Sequence, residues 1–389
     1  MSSTSKTPSN QAVWLQSCGK LEVKAAPYTH PEQNEIVIKN RALAINPADW
    51  IKQDMGSFMF PWMKYPCVMG YDVAGEVVEV GPDVTRFKVG DRVVGMANGT
   101  SKLLNTPTKS GFQLYPVLLD HMTSHIPSTL SFEQASVIPL GFSTAACGLF
   151  QKDHLGLQLP SISPKPTDKT VLIWGGSSSV GVNAIQYVYL SSLMILWSVK
   201  AILAVAAGYE VITTCSPRNF ELVKRLGASQ AFDYNSKTVV VDIIRALQNV
   251  KVAGAISIGQ GAIDACLDIL DKCQGNKVLA MMTYPLPTPP PKHFVIPKTI
   301  ATFVPWMAAN YIKCKTRGIK SAFVEGSSLI PNGIGEAVYA NFLSEALEKG
   351  TFVAAPEPKV AGTGLEFVEA AMKVQREGVS ACKVVVALD

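Results

Sequence analysis

"VLIWGGSSSVGVNAIQ", residues 171–186, decides the fold. Val171–Trp174 is an apolar run that reads as a buried strand. It breaks at Gly175–Gly176, turns through Ser177, Ser178 and Ser179, and enters a helix at about Gly181. A helix N-terminus presents unpaired N–H groups and the positive end of its dipole, which suits a pyrophosphate. Glycine lets the backbone approach closely, and serine hydroxyls add donors. The strict GxGxxG spacing is absent, because the glycines fall at 175, 176 and 181. Many β–α turns carry glycine and bind nothing, so the turn gains meaning only from the elements downstream of it.

Downstream, strand and helix alternate. "YEVITTC" (209–215), "QAFDY" (230–234), "VAGAISI" (252–258) and "KVLAMM" (277–282) read as strands. "FELVKRLGA" (220–228), "VVDIIRALQ" (240–248) and "AIDACLDILD" (262–271) read as helices between them. This order predicts a doubly wound parallel sheet, an α/β domain. Upstream, "NEIVIKNRALAI" (34–45), "DVAGEVVEVG" (72–81) and "DRVVGMA" (91–97) are strands separated by Gly, Pro and Asp turn signals, and predict a β-rich, barrel-like domain. The segment "YPLPTPPPKHFVIP" (284–297) cannot be a helix interior and reads as a loop or domain crossover. "NFLSEALEKG" (341–350) and "GLEFVEAAMKVQREG" (364–378) read as helices, and "CKVVVAL" (382–388) as a closing strand.

Composition agrees with an enzyme-sized globule. A chain of 389 residues, 48% hydrophobic and 17% charged, is long enough for about two domains with substantial cores. The net charge of +5 is mild and the basic residues are scattered, so no nucleic-acid partner is expected. The polar start "MSSTSKTPSN" carries no apolar signal region, and a cytoplasmic location is expected. Eight cysteines lie far apart with no CxxC, which predicts reduced thiols rather than a zinc ribbon or disulfide framework.

Cofactor choice is read at the end of the second strand, "TTCSPRN" (213–219). A dinucleotide fold that prefers NAD places an acidic residue there for the ribose. Here Ser216 and Arg218 stand in its place, and an arginine fork matches a 2′-phosphate. NADP(H) is the expected cofactor. The competing reading makes Arg218 a solvated turn residue and Ser216 a helix cap.

Taken together, "RALAINPADW" (41–50), "GYDVAGEVVEVGPDVTRFKVGDRVVG" (70–95), "GFSTAACGL" (141–149) and "GGSSSVG" (175–181) resemble the medium-chain dehydrogenase/reductase superfamily, in its zinc-independent, quinone-oxidoreductase-like branch. The resemblance spans nearly the whole chain. "TTCSPRNFELVKRLGASQAFDYN" (213–235) is similar to the fungal trans-acting enoyl reductases of polyketide pathways and related dehydrogenases. The resemblance implies a GroES-like catalytic domain over 1–140, completed by 320–389, and a Rossmann domain over 141–319. It places the active site in a cleft between them.

Carried over by position, Pro47, Ala48, Asp49 and Trp50 would flank the nicotinamide, as would Ser257, Ile258 and Lys383. Gly176, Ser177, Ser178 and Ser179 would hold the pyrophosphate. Ser216, Pro217, Arg218, Asn219 and Tyr234 would hold the 2′-phosphate end. Gly141, Ser143 and Thr144 would line the cofactor and substrate cleft, and Met282–Leu286, including Thr283, Tyr284 and Pro285, would border the substrate.

Zinc-dependent relatives carry a catalytic cysteine where this chain has Asn46, and a His–Glu pair where it has Tyr71–Asp72. Residues 95–120 lack the four cysteines of their structural site. A catalytic zinc wants three N, S or O protein ligands, so no metal is expected. His121 and His125 in "HMTSH" read as a surface pair.

The resemblance implies hydride transfer from NADPH to an activated alkene, with the enolate hydrogen-bonded by the protein. Tyr71 and Lys52 are the candidate catalytic residues. Against them stand a buried tyrosine satisfied by backbone and a solvated lysine. The implied substrate is a small-molecule or carrier-protein-bound enoyl compound, with a polyketide synthase as the possible partner and a monomer or homodimer as the assembly. Two rivals are a quinone or small-enone reductase and a non-catalytic NADPH-binding protein.

One stretch does not fit. "YVYLSSLMILWSVKAI", residues 187–202, separates "GVNAIQ" from "LAVAAGYEV", sixteen residues in excess of the family pattern. It is too short and too interrupted for a membrane span, which needs about 20 apolar residues. Its removal restores the fingerprint distance of about 20 residues between Gly181 and Ser216. It reads as a retained intron or gene-model error, with a native helix extension as the alternative.

Overall fold

The computed structural model describes residues 8–161, 164–188, 207–283 and 295–389. The chain divides into two compact units. One takes the chain up to Leu140 together with Tyr339–Glu348 and Val353–Asp389, and the other takes Gly141–Val338 and Lys349–Phe352.

The first unit is β-rich. Its larger sheet runs Glu357–Thr363, Cys382–Ala387, Glu35–Ala44, Asp72–Val80, Arg92–Met96 and Thr123–His125, with Val117–Leu119 paired to Glu35–Ala44. Each pairing is antiparallel except the first. The C-terminal strand therefore completes a sheet begun near the N-terminus, through Val385 opposite Ala44 and Val386 opposite Leu43. A smaller antiparallel sheet joins Lys20–Ala26, Asn10–Ser17 and Cys67–Val68. Ile36, Ile38, Val73, Val77 and Val93 form one apolar cluster in this unit, and Leu15, Met69, Phe112 and Val384 belong to a second.

The second unit is a parallel sheet in the order Gln230–Asp233, Glu210–Cys215, Lys169–Trp174, Lys251–Ser257, Val278–Met281 and Lys320–Phe323. Numbered along the chain, these strands stand 3-2-1-4-5-6, the dinucleotide-fold order that puts a ligand crevice where the order reverses, beside the first and fourth strands. The central strands read as unbroken apolar runs because helices cover both faces. Val171, Leu172, Ile173, Val211, Ala255 and Ile256 are all buried to 1% exposure or less.

Two expectations need correction. The boundary at 320 cuts the sixth strand, since Lys320–Phe323 pairs in parallel with Val278–Met281. The second unit therefore runs on to Val338. The Pro-rich segment ends sooner than its sequence suggests, because a helix spans Val295–Arg317 and Pro297 lies in its tolerant first turn. Tyr187, the first residue of the apolar excess, belongs to the helix Ser179–Val188 and is completely buried. Residues 189–202 of that excess lie outside the described residues, as do Tyr284, Pro285 and Leu286. All eight cysteines are free thiols. Among the described residues no helix is long and apolar enough to cross a membrane.

Candidate functional site

In the second unit, the turn after the first strand is built so that only glycine fits. Gly175 has φ +91°, a left-handed conformation, and a Cβ there would lie 2.7 Å from the Ile258 carbonyl oxygen. A Cβ on Gly176 would lie 2.1 Å from Thr213 Oγ1, and one on Gly181 would lie 2.3 Å from the Gly175 carbonyl oxygen. The backbone thus folds tightly onto the start of helix Ser179–Val188, leaving its N–H groups at the C-terminal edge of the sheet. Ser178 serves the turn itself. Its hydroxyl donates to the Gly175 carbonyl at 2.7 Å and accepts from Gly181 N–H at 3.1 Å. It is therefore a cap rather than a free donor, which corrects its expected role; Ser177 stays half-exposed on the same turn.

Across the strand-order reversal, Ile258 N–H donates to the Trp174 carbonyl at 3.0 Å. Beside it Ser257 is 1% exposed, and its hydroxyl has no partner among the described residues. Thr283 accepts from Gly259 N–H at 3.0 Å. Gly141 packs on Ser179, where a Cβ would lie 2.6 Å from the hydroxyl oxygen. Ser143 is fully buried and Thr144 half-exposed. At the end of the second strand, Pro217 and Arg218 are exposed, Asn219 is buried, and Ser216 donates to the Tyr234 hydroxyl at 3.4 Å. Ser216 makes no side-chain cap, so that competing reading of it fails.

In the first unit, the helix Pro47–Met59 places two charged residues inward. Asn46 caps it, and Asn46 N–H donates to Asp49 Oδ2 at 2.8 Å. Asp49 is fully buried, and its other oxygen has no partner among the described residues. Burial pushes its carboxyl up to about 7, helped by the nearby Asp72 charge and opposed by the Asn46 N–H, Lys52 and Lys383. Asp49 therefore does not face solvent, in contrast to its exposed neighbour Pro47 and half-exposed Ala48. Trp50 is held by Gln375 at 2.5 Å and by Arg376 against its ring.

Lys52 is 4% exposed and not solvated. Its ammonium donates to the Tyr71 hydroxyl, to Thr100 Oγ1 at 2.7 Å and to the Thr100 carbonyl at 3.1 Å. Tyr71 is thus partnered by a side chain and not by backbone. Lysine has no acceptor, so the Tyr71 oxygen accepts from it and keeps its own hydrogen for another group. Thr100 had no signal in the sequence.

Asn46, Asp72 and Lys383 form a second buried cluster. Lys383 Nζ lies 2.7 Å from Asn46 Oδ1 and 2.6 Å from Asp72 Oδ2. Asn46 Nδ2 donates to the same Asp72 oxygen at 3.0 Å, and Leu140 N–H to the other at 2.6 Å. Lys383 is thus held within the cluster, not presented at an open surface. His125 Nε2 lies 2.9 Å from the Arg86 carbonyl oxygen, and His121 lies beside Asp120, so the two rings serve separate partners.

The residues 32–127 match the alcohol dehydrogenase GroES-like domain. Over 384 residues the chain is 52% identical to the dehydrogenase pigH of Monascus ruber, covering 98% of this chain and all of that one. The chain belongs to the medium-chain dehydrogenase/reductase family of oxidoreductases. Another member, the trans-enoyl reductase himH of Aspergillus japonicus, is 36% identical over 382 residues, covering 97% of each chain. Among solved structures, the CurK enoyl reductase shares this medium-chain fold with a TM-score of 0.68 at 19% identity, covering 98% of this chain and 99% of that one.

Asn46, Tyr71 and Asp72 are a poor donor set for a zinc ion, being an amide, a phenol and a carboxylate already paired with the Lys383 ammonium.

Proposed function

We propose that this oxidoreductase uses NADPH to reduce an activated carbon–carbon double bond without zinc, as an enoyl reductase of fungal secondary metabolism. The observation that carries the reading is the buried Lys52–Tyr71 pair, which offers a hydrogen-bond donor backed by a cation. The relative named a trans-enoyl reductase supports the same reaction type.

Gly175, Gly176 and the helix start would hold the pyrophosphate. Ser216, Arg218, Asn219 and Tyr234 would hold the 2′-phosphate end, with Ser257 and Ile258 beside the nicotinamide. The orphaned Ser257 hydroxyl and the glycine-only cradle fit such a ligand. NADPH bound there would supply a hydride, and an activated alkene taking it at the β-carbon would carry the double-bond electrons on its carbonyl oxygen as an enolate. Tyr71 hydrogen-bonds that oxygen and delivers its proton toward the α-carbon. The Lys52 ammonium stabilises the phenolate left behind until water restores the proton. Thr100 fixes the ammonium's direction. The substrate is a small enoyl compound or one tethered to a carrier protein of a polyketide synthase.

The test is NADPH oxidation by chelator-treated protein against enoyl thioesters, free enones and quinones. Turnover of the first two, with a saturated carbon–carbon bond in the product, is expected. Turnover of quinones alone would make it a quinone reductase, and tight NADPH binding without turnover on any of them would make it a binding protein.

A further inference from the structure

Two arms of the chain converge on Lys52 and Tyr71, and both start at one ammonium. Lys383 Nζ contacts Asn46 Oδ1 at 2.7 Å, and Asn46 caps the helix that carries Lys52. The same ammonium contacts Asp72 Oδ2 at 2.6 Å, and Asp72 directly succeeds Tyr71 in the chain. The cross-link between Asn46 Nδ2 and Asp72 closes the base of the ring. The Lys52–Tyr71 hydrogen bond closes its top.

Stability alone does not explain this buried ion pair. The last strand is already held by backbone, through its ladder to Glu35–Ala44 and through Ile45 N–H to the Val384 carbonyl at 2.9 Å. Buried ion pairs replaced by uncharged groups of similar size often leave a fold as stable or more so. What the pair adds is geometry. A cation shared by two acceptors on different segments sets their separation, as a metal ion does, and here those segments carry the two proposed proton-handling groups.

We infer that Lys383 is a positioning residue whose ammonium, in the place where zinc-dependent relatives hold metal, fixes the helix cap at Asn46 against Asp72 so that Lys52 stands on Tyr71. The inference deepens the proposed role of Lys52 and Tyr71, and its test is chosen to stand without turnover. In protein labelled with ¹⁵N-lysine, a buried, hydrogen-bonded ammonium exchanges its protons slowly enough to be observed. The Lys52 signal is assigned by its loss in Lys52→Met. The charge-balanced pair Lys383→Met with Asp72→Asn removes the tie while leaving an acceptor for Leu140 N–H.

This double variant should recover most of the melting temperature lost by Lys383→Met alone. Its Lys52 ammonium should exchange at least about tenfold faster than in the wild type, because the bond to Tyr71 has loosened. A Lys52 signal identical to the wild type in the folded double variant would make Lys383 merely structural and overturn the inference. Should that variant not fold, Lys383→Arg keeps the charge but changes the reach, and the same two outcomes apply to its Lys52 signal. Where the protein turns over an enone, the double variant should lose at least about tenfold in kcat with its Kd for NADPH within twofold. Slow Lys52 exchange lost without any turnover in the wild type would uphold the positioning and defeat only the enoyl reading.

Discussion

Tyr187 stacks on Phe142 with ring centroids 4.6 Å apart and planes at 30°. It also meets Phe150 edge-on at 5.2 Å and lies 6.1 Å from Phe352. The residue that opens the apolar excess is thus a core aromatic of the second unit, and removing one from such a site typically costs about 3–5 kcal/mol. The sixteen residues to excise are better drawn as 189–204, which keeps Tyr187 and removes the same length before the buried Ala207 as excision of 187–202 would. Deleting 189–204 should raise soluble yield and preserve NADPH binding, whereas deleting 187–202 should lower the melting temperature relative to it. Transcript sequencing should show a spliced message lacking these codons. A 189–204 deletion that fails to fold, with full-length message as the sole transcript, would make the segment a native element.

Arg218 is exposed at the end of the second strand, near the Ser216–Tyr234 hydrogen bond. A hydrogen bond to a charged phosphate contributes about 1.5–3 kcal/mol, and about 1.4 kcal/mol is tenfold in affinity. Arg218→Ala should weaken NADPH at least about tenfold and leave NADH nearly unchanged, measured by fluorescence titration. Equal losses for both cofactors would make Arg218 structural.

Tyr71→Phe keeps the ring and removes only the hydroxyl that Lys52 addresses. General acid catalysis contributes roughly 10²–10⁴-fold, so kcat should fall by at least about a hundredfold while NADPH affinity holds. Lys52→Met should reduce kcat as well and also destabilise, since it strands the Tyr71 and Thr100 acceptors in a buried site. A Tyr71→Phe enzyme with wild-type kcat would remove the phenol from the reaction.

Asp49 holds its proton up to about 7, against an ordinary value of 3.8, chiefly through burial. The folded state therefore binds this proton more tightly than the unfolded chain does. Its contribution is complete below the unfolded value and is lost as pH rises toward about 7. Wild-type stability should fall between about pH 4 and 7, and Asp49→Asn should flatten that fall. Identical pH profiles of melting temperature for the two proteins would contradict it.

The parallel sheet was legible because its strands are buried on both faces and so read as apolar runs closed by glycine turns. Val171–Trp174 into Gly175–Gly176 is the clearest case. The Asn46–Asp72–Lys383 cluster was not legible as a cluster. Asn46 lies 26 positions from Asp72 and 337 from Lys383, and only the strand pairing brings them together. Lys52 could not be read as buried, because a lysine ordinarily points to water. The helix Val295–Arg317 was hidden by Pro297, Pro305 and the prolines before it, which break a helical pattern in sequence more than in structure. Ser178 looked like a phosphate donor, and its hydroxyl is instead needed to close the turn.

The most direct test of the central claim traces the hydrogen itself. Chelator-treated protein is given an α,β-unsaturated thioester and NADPH deuterated at the transferred position, and the product is read by mass spectrometry and NMR. One deuterium at the β-carbon of a saturated thioester is the predicted result, with the α-carbon hydrogen drawn from solvent. Deuterium on the carbonyl carbon, or activity that returns only when zinc is added, would contradict a zinc-independent enoyl reductase.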